Sequence, residues 1–145
     1  MEREQAIRLM QDLLRRMVER KGSDLFITAG FPPAIKVDGE IRPQSDKPLS
    51  AEQAAVLVRS IMNDRQTREF DATKESNFAI APPGIGRFRV SAFIQQGQTG
   101  AVLRTIQSRI PTIEELELPP ILKDIVMSKR GLVIVVGATG SGKST

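Results

Sequence analysis

Residues Gly131–Thr145, GLVIVVGATGSGKST, limit what this chain can fold into more than any other stretch. Leu132 to Val136 is an unbroken apolar run with three valines. Such a run predicts a short strand buried on both faces, as in the parallel sheet of an α/β domain. It leads directly into Gly137-Ala138-Thr139-Gly140-Ser141-Gly142-Lys143-Ser144, which fits the pattern G-x-x-x-x-G-K-[ST]. Glycines at these positions let backbone N–H groups close around phosphate oxygens. Lys143 then reaches the β- and γ-phosphates, and the Ser144 hydroxyl ligates Mg²⁺. At ordinary residue frequencies a match arises by chance in about 0.5% of chains this long, and the preceding apolar run makes that rarer. Gly137 to Thr145 are therefore the expected nucleotide-binding residues, with ATP and Mg²⁺ as cofactors.

The sequence ends at Thr145, inside this loop. The helix whose N-terminus should face the phosphates, and any later acid for Mg²⁺ or water, are expected in a continuation. The 145-residue chain by itself is accordingly expected not to turn over ATP. Sustained phosphate release by the purified chain, abolished by Lys143→Ala, would overturn this.

The chain has neither cysteine nor histidine, which removes disulfides, thiolate sites and imidazole chemistry from this segment. No apolar run approaches the roughly 18 residues of a membrane helix, so no transmembrane segment is expected. The net charge of +4 is modest, but its placement is uneven. Ala79 to Thr112 holds Arg87, Arg89, Arg104 and Arg109 and no acid, and so carries the whole excess. A basic block can bind nucleic acid. Here there is no Trp or Tyr for base stacking and no recognisable nucleic-acid module, so nucleic acid is not an expected partner. Phosphates of a nucleotide, or acidic groups on a partner subunit, fit better.

Patterning divides the chain near residues 108–112 into an α+β domain and the opening of a nucleotide-binding α/β domain. Ile7, Met10, Leu13, Leu14, Met17 and Val18 recur at helical spacing and predict a helix over 5–20 that stops at Gly22. Strands are expected at 24–29, 34–37 and 40–42, the last two joined by an Asp38-Gly39 turn. Ser50 and Gln53 fit a capping box for a helix over 51–62, and Asn63 or Asp64 caps a further helix ending near Phe70. Asp24 by itself reads as a cap or turn residue rather than a catalytic one. Thr112 and Glu115 fit another box. Pro119-Pro120 opens a helix through Val126.

A strand over 76–80 precedes the basic stretch. Residues 87–95 and 101–107 read as paired strands, turned by Gly97-Gln98-Thr99-Gly100. A turn centred between Gln98 and Thr99 pairs Phe93 with Arg104. Arg87, Arg89, Ser91 and Phe93 then share a face with Arg104, while Phe88, Val90, Ala92, Ile94 and Leu103 line the core. Arg89 and Arg104 would lie about 13 Å apart along the ladder. Two readings stay open on pattern alone: convergence of both arginines on one polyphosphate, or a solvated basic face.

These residues resemble the type IV pilus retraction ATPases, the PilT/PilU group of the secretion ATPases. The likeness covers nearly the whole chain. It rests on Gly22-Ser23-Asp24-Leu25, on Ala29-Gly30 with Pro32-Pro33, on Val37-Asp38-Gly39, on Gly86-Arg87-Phe88-Arg89-Val90, on Ile110-Pro111-Thr112 with Glu114-Glu115-Leu116, and on Gly137–Thr145. The segments GSDLFITAG, NFAI and GIGRFRVSAF resemble the PilU branch most, as does Phe26, where PilT-like chains often carry His.

The resemblance implies an α+β fold: a PAS-like antiparallel sheet with flanking helices over residues 1–110. Residues 111–145 would be a linker and the first helix and strand of a RecA-like ATPase domain. It implies a cytoplasmic homo-hexamer at the inner face of the membrane, hydrolysing ATP to drive pilus retraction and twitching motility. Its partners would be a related retraction ATPase and the inner-membrane platform protein. In this family arginines on the N-terminal strands approach the nucleotide; by motif these are Arg89 and Arg104. Two alternatives remain. One is a non-catalytic PAS-like interaction or sensing module. The other is a pilus-assembly or type II secretion ATPase. Assembly ATPases usually carry an additional N-terminal domain, so a start on the amphipathic helix favours retraction.

Overall fold

A computed structural model describes residues 1–138 and 141–145. The chain forms two compact units, Met1–Ser108 and Arg109–Thr145.

The first unit begins with helix α1 (Arg3–Glu19), followed by strands β1 (Asp24–Thr28), β2 (Ala34–Val37) and β3 (Glu40–Pro43). Helices α2 (Ala51–Ser60) and α3 (Asp64–Thr73) follow, then strands β4 (Glu75–Ile80), β5 (Arg87–Gln95) and β6 (Gln98–Ile106). The strands form one six-stranded sheet in the order β3-β2-β1-β6-β5-β4, antiparallel throughout. β1 and β6 are therefore central partners although some seventy residues separate them in sequence.

Local chemistry accounts for the helix boundaries. Ser50 and Gln53 form a reciprocal capping box on α2, and Asn63 and Gln66 form another on α3. A cap of this kind is worth about 1 kcal/mol. Asn63, not Asp64, is the cap, and α3 runs past Phe70 to Thr73, where Lys74 in the left-handed conformation ends it. On α1 the buried stripe is Ala6, Met10, Leu13, Leu14 and Met17, whereas Val18 is exposed. Its expected stop, Gly22, has a different reason for being glycine. Lys21 takes the positive φ, and a Cβ on Gly22 would lie 2.6 Å from Ile35 Cγ2 and 2.9 Å from Met17 Cγ. Space between helix and sheet, not backbone conformation, requires glycine there.

One face of the sheet meets α1 and α2 through Leu25, Ile27, Ile35, Phe88, Val90, Ala92 and Leu103, all essentially inaccessible. Each large side chain buried this way contributes roughly 1.5–3 kcal/mol. On the opposite face, which none of the first unit's helices covers, alternation along β5 puts Arg87, Arg89 and Ser91 in solvent. The expected division of faces therefore holds.

The register of the β5–β6 hairpin differs from expectation. Its turn is the two-residue Gln96-Gly97, both at positive φ (51° and 74°), and Gln95 pairs with Gln98. A two-residue turn of that hand matches the twist of the flanking strands, whereas a wider loop splays them. β6 consequently starts at Gln98. Gly100 lies inside the strand opposite Phe93, whose ring covers the place where a side chain would be. Phe93 does not pair with Arg104; Arg89 does. The slip is an even number of residues, so every side chain keeps its face.

In the second unit Thr112 and Glu115 form their capping box, with hydrogen bonds of 3.0 and 3.2 Å, and α4 spans Ile121–Val126. Leu132 to Val136 forms no strand, against expectation, and all five side chains are exposed. A parallel strand exists only through hydrogen bonds to neighbours. Among the described residues the second unit has no strand to pair with this one.

Candidate functional site

The open sheet face gathers the charges. Pairings along one transverse row run Ala79–Arg89–Arg104–Asp24–Lys36, one residue from each of β4, β5, β6, β1 and β2. Three cations and one carboxylate leave this row with two positive charges in excess. Arg89 and Arg104 are directly opposed instead of 13 Å apart, so their Cβ atoms are about 5 Å from one another. Like charges in that position repel; solvent screens the repulsion, and an anion between them would relieve it further.

The two arginines are not equivalent. Arg104 Nε donates to Asp24 Oδ1 at 3.0 Å, and Asp24 Oδ2 accepts from Ser23 Oγ at 2.8 Å. Asp24 is 8% exposed, whereas the Arg104 side chain is 71% exposed. Arg89 makes no hydrogen bond or ion pair among the described residues. Beside them Asn77, Ser91 and Val102 complete a groove of about 370 Å³. A second cleft, of about 380 Å³, is on the helical side among Ile7, Met10, Leu14 and Ile80; it has no charged lining. Of the two, the first is the one lined by cations.

Of the four arginines in the acid-free block, Arg87, Arg89 and Arg104 share the open face. Arg109 belongs to the second unit and pairs with Glu115. In the same unit a hydrogen bond from the Lys123 ammonium holds the Glu114 carboxyl below the ordinary carboxylate range; both side chains are exposed. Such exposed pairs add little to stability.

Of the expected nucleotide loop, Thr139 and Gly140 lie outside the described residues. Gly137, Ala138, Ser141, Gly142, Lys143, Ser144 and Thr145 are all exposed. Lys143 Nζ donates to the carbonyls of Gly137 (2.7 Å) and Ala138 (3.1 Å), and Ser141 Oγ donates to Ala138 O (2.6 Å). The ammonium is thus held by its own loop, whose described residues form no helix or strand. Among the described residues no cluster of acids could hold a metal by protein ligands alone.

Asp24 is the site residue that sequence reasoning missed. A single Asp beside Ser on a short strand carries no signal; its partner is 80 residues away.

No protein-family model matches the chain. It is 58% identical over 135 residues to the type IV pilus ATPase PilU of Pseudomonas aeruginosa, covering 93% of this chain and 35% of that protein. It is 45% identical to the type IV pilus retraction ATPase PilT of the same organism, covering 92% of this chain and 39% of that protein. Its structure matches a crystal structure of the pilus retraction motor PilT with bound ADP at a TM-score of 0.79. That match has 35% identity and covers 93% of this chain and 40% of the other. Fold and sequence together place the chain among the pilus ATPases. Over nearly its whole length it belongs to the type IV pilus ATPase family. It spans between a third and two fifths of the length of these relatives.

Proposed function

We propose that this chain is the N-terminal portion of a cytoplasmic, hexameric motor ATPase that powers type IV pilus retraction. In this reading residues 1–110 are a PAS-like domain, and residues 111–145 are the linker and the start of a RecA-like domain. The observation that carries it is the 58% identity to PilU over 93% of the chain. The facing pair Arg89 and Arg104, on the sheet face away from the first unit's helices, supports a phosphate-contacting role. The exposed run Leu132–Val136 supports a further sheet that would cover it, because five exposed aliphatic side chains in a row are a surface awaiting burial.

Gly137 to Thr145 would hold the ATP phosphates, with Lys143 turning from its loop carbonyls to the β- and γ-phosphates and Ser144 ligating Mg²⁺. The metal would neutralise charge developing on the transferred phosphoryl group. This chain's own share would be to bind and orient: backbone N–H groups of the loop would cradle the phosphates, and Arg89 and Arg104 are the proposed phosphate-contacting arginines. A related retraction ATPase and the inner-membrane platform protein are the expected partners.

The test has two arms. The purified intact protein should hydrolyse ATP only with Mg²⁺ present and should sediment as a hexamer. A strain lacking the gene should lose twitching and regain it with the wild-type copy but not with Lys143→Ala. Normal twitching without the gene, or an intact protein that ignores ATP, would sink the motor reading and leave the interaction-module alternative.

A further inference from the structure

Asp24 is the one charged residue buried among the described residues, and it is on β1, one of the two central strands of the sheet. Burying a carboxylate is unfavourable unless partners compensate. Its ion-pair partner is an uneven match for that purpose alone, because the Arg104 side chain is mostly in water while Asp24 is not. The asymmetry has another use. Guanidinium presents its donors along distinct edges, and the Asp24 carboxylate occupies Nε. Among the described residues the two terminal nitrogens have no partner, so the Nη1/Nη2 edge is open beside Arg89. Ser23 holds the second carboxylate oxygen, and its own backbone is tied on both sides: Ser23 N donates to Lys36 O at 2.9 Å, and Thr105 N donates to Ser23 O at 3.1 Å.

We propose that Asp24, braced by Ser23, is a positioning residue that fixes Arg104 by its Nε so that the free edge of the guanidinium, together with Arg89, clamps one phosphate group of the nucleotide. This rests on the phosphate-contacting role proposed for the two arginines. The carboxylate supplies order, not attraction. It opposes anion binding by Coulomb's law, being next to the groove, but removes the rotameric freedom of a long exposed side chain. Lysine at 104 could not serve, because a single ammonium has no second edge.

The opposition of charge and order predicts a split that a purely structural ion pair would not produce. In the intact protein, Asp24→Ala should lower kcat for ATP about fivefold to tenfold. Its KM should stay level or fall, because one negative charge has left the site. Asp24→Asn, whose amide oxygen still accepts from Nε, should recover at least half of the lost rate. Asp24→Ala combined with Arg104→Ala should be no slower than Arg104→Ala alone.

Wild-type kcat in Asp24→Ala, whatever its melting temperature, would make the pair structural and overturn the proposal. So would an additive double variant, or an Asp24→Asn variant as slow as alanine. Should Asp24→Ala fail to fold, Asp24→Leu, which fills the buried position but offers Nε no acceptor, supplies the same comparison with and without Arg104→Ala. Arg104→Ala with normal turnover would remove the phosphate-contacting role itself, an outcome read without any change at Asp24.

Discussion

Arg89→Ala and Arg104→Ala should each lower steady-state ATP turnover of the intact protein tenfold or more. The two side chains are directly opposed on the sheet face away from the first unit's helices, beside a groove that also offers Asn77 and Ser91. Planar, bidentate donors suit phosphate in a way a point charge does not, so Arg→Lys should rescue only partly. Removal of a single transition-state donor in other enzymes costs about 10²–10³ in rate, and tenfold is a conservative floor.

The thermal melts should separate the two positions. Arg89 has no partner among the described residues and faces a like charge, so its loss should change stability by no more than about 0.5 kcal/mol. Loss of Arg104 strands a nearly buried carboxylate with only Ser23 Oγ, which should cost about 1–3 kcal/mol. Unchanged turnover in both variants would return the face to solvated basic surface.

Phe70→Ala should destabilise the first unit by about 3–5 kcal/mol, more than any surface change. Phe70 is fully inaccessible and is the only residue α3 buries. Its ring carries the Arg59 guanidinium at 5.3 Å from the centroid, and Arg59 in turn pairs with Asp71 at 2.6 Å. Deleting the ring removes the apolar anchor, the cation–π contact and the reason for the α2–α3 pair together. α3 leads directly into edge strand β4, so that strand should loosen as well. In a domain of this size 1 kcal/mol shifts the midpoint by about 4–8 °C, so thermal denaturation should fall by more than about 10 °C. Phe70→Leu should cost less than half as much. A melt within a few degrees of wild type for Phe70→Ala would mean α3 is held by its caps and surface pairs instead.

The elements of the first unit were legible because their signals are local. Ser50/Gln53 and Asn63/Gln66 satisfy helix-end N–H groups within four residues, Asp38-Gly39 turns β2 into β3, and the α1 stripe repeats at helical period. The sorting of β5 into a core face and a basic face was legible for the same reason, since alternation has period two. It survived a wrong turn because the register error was even. The turn itself was misplaced because Gly97 and Gly100 both look like turn residues. Only packing shows that Gly100 is glycine on account of the Phe93 ring above it.

The Leu132–Val136 strand failed for a related reason. Apolar runs state that burial is wanted, but a strand also needs neighbours for its N–H and C=O groups, and in the second unit none is present among the described residues.

By itself the sequence determined the family motifs, the nucleotide-loop pattern, the helices with their caps and the faces of the basic hairpin. Each depends on contacts a few residues apart or on a strict period. The tertiary structure alone decided that β1 and β6 are neighbours, that Arg89 faces Arg104, and that Asp24 holds Arg104 by Nε. Those pairings join positions as far as 80 residues apart. No local rule selects them; they are chosen by which faces must be buried together and by which ladder leaves the fewest backbone groups unpaired.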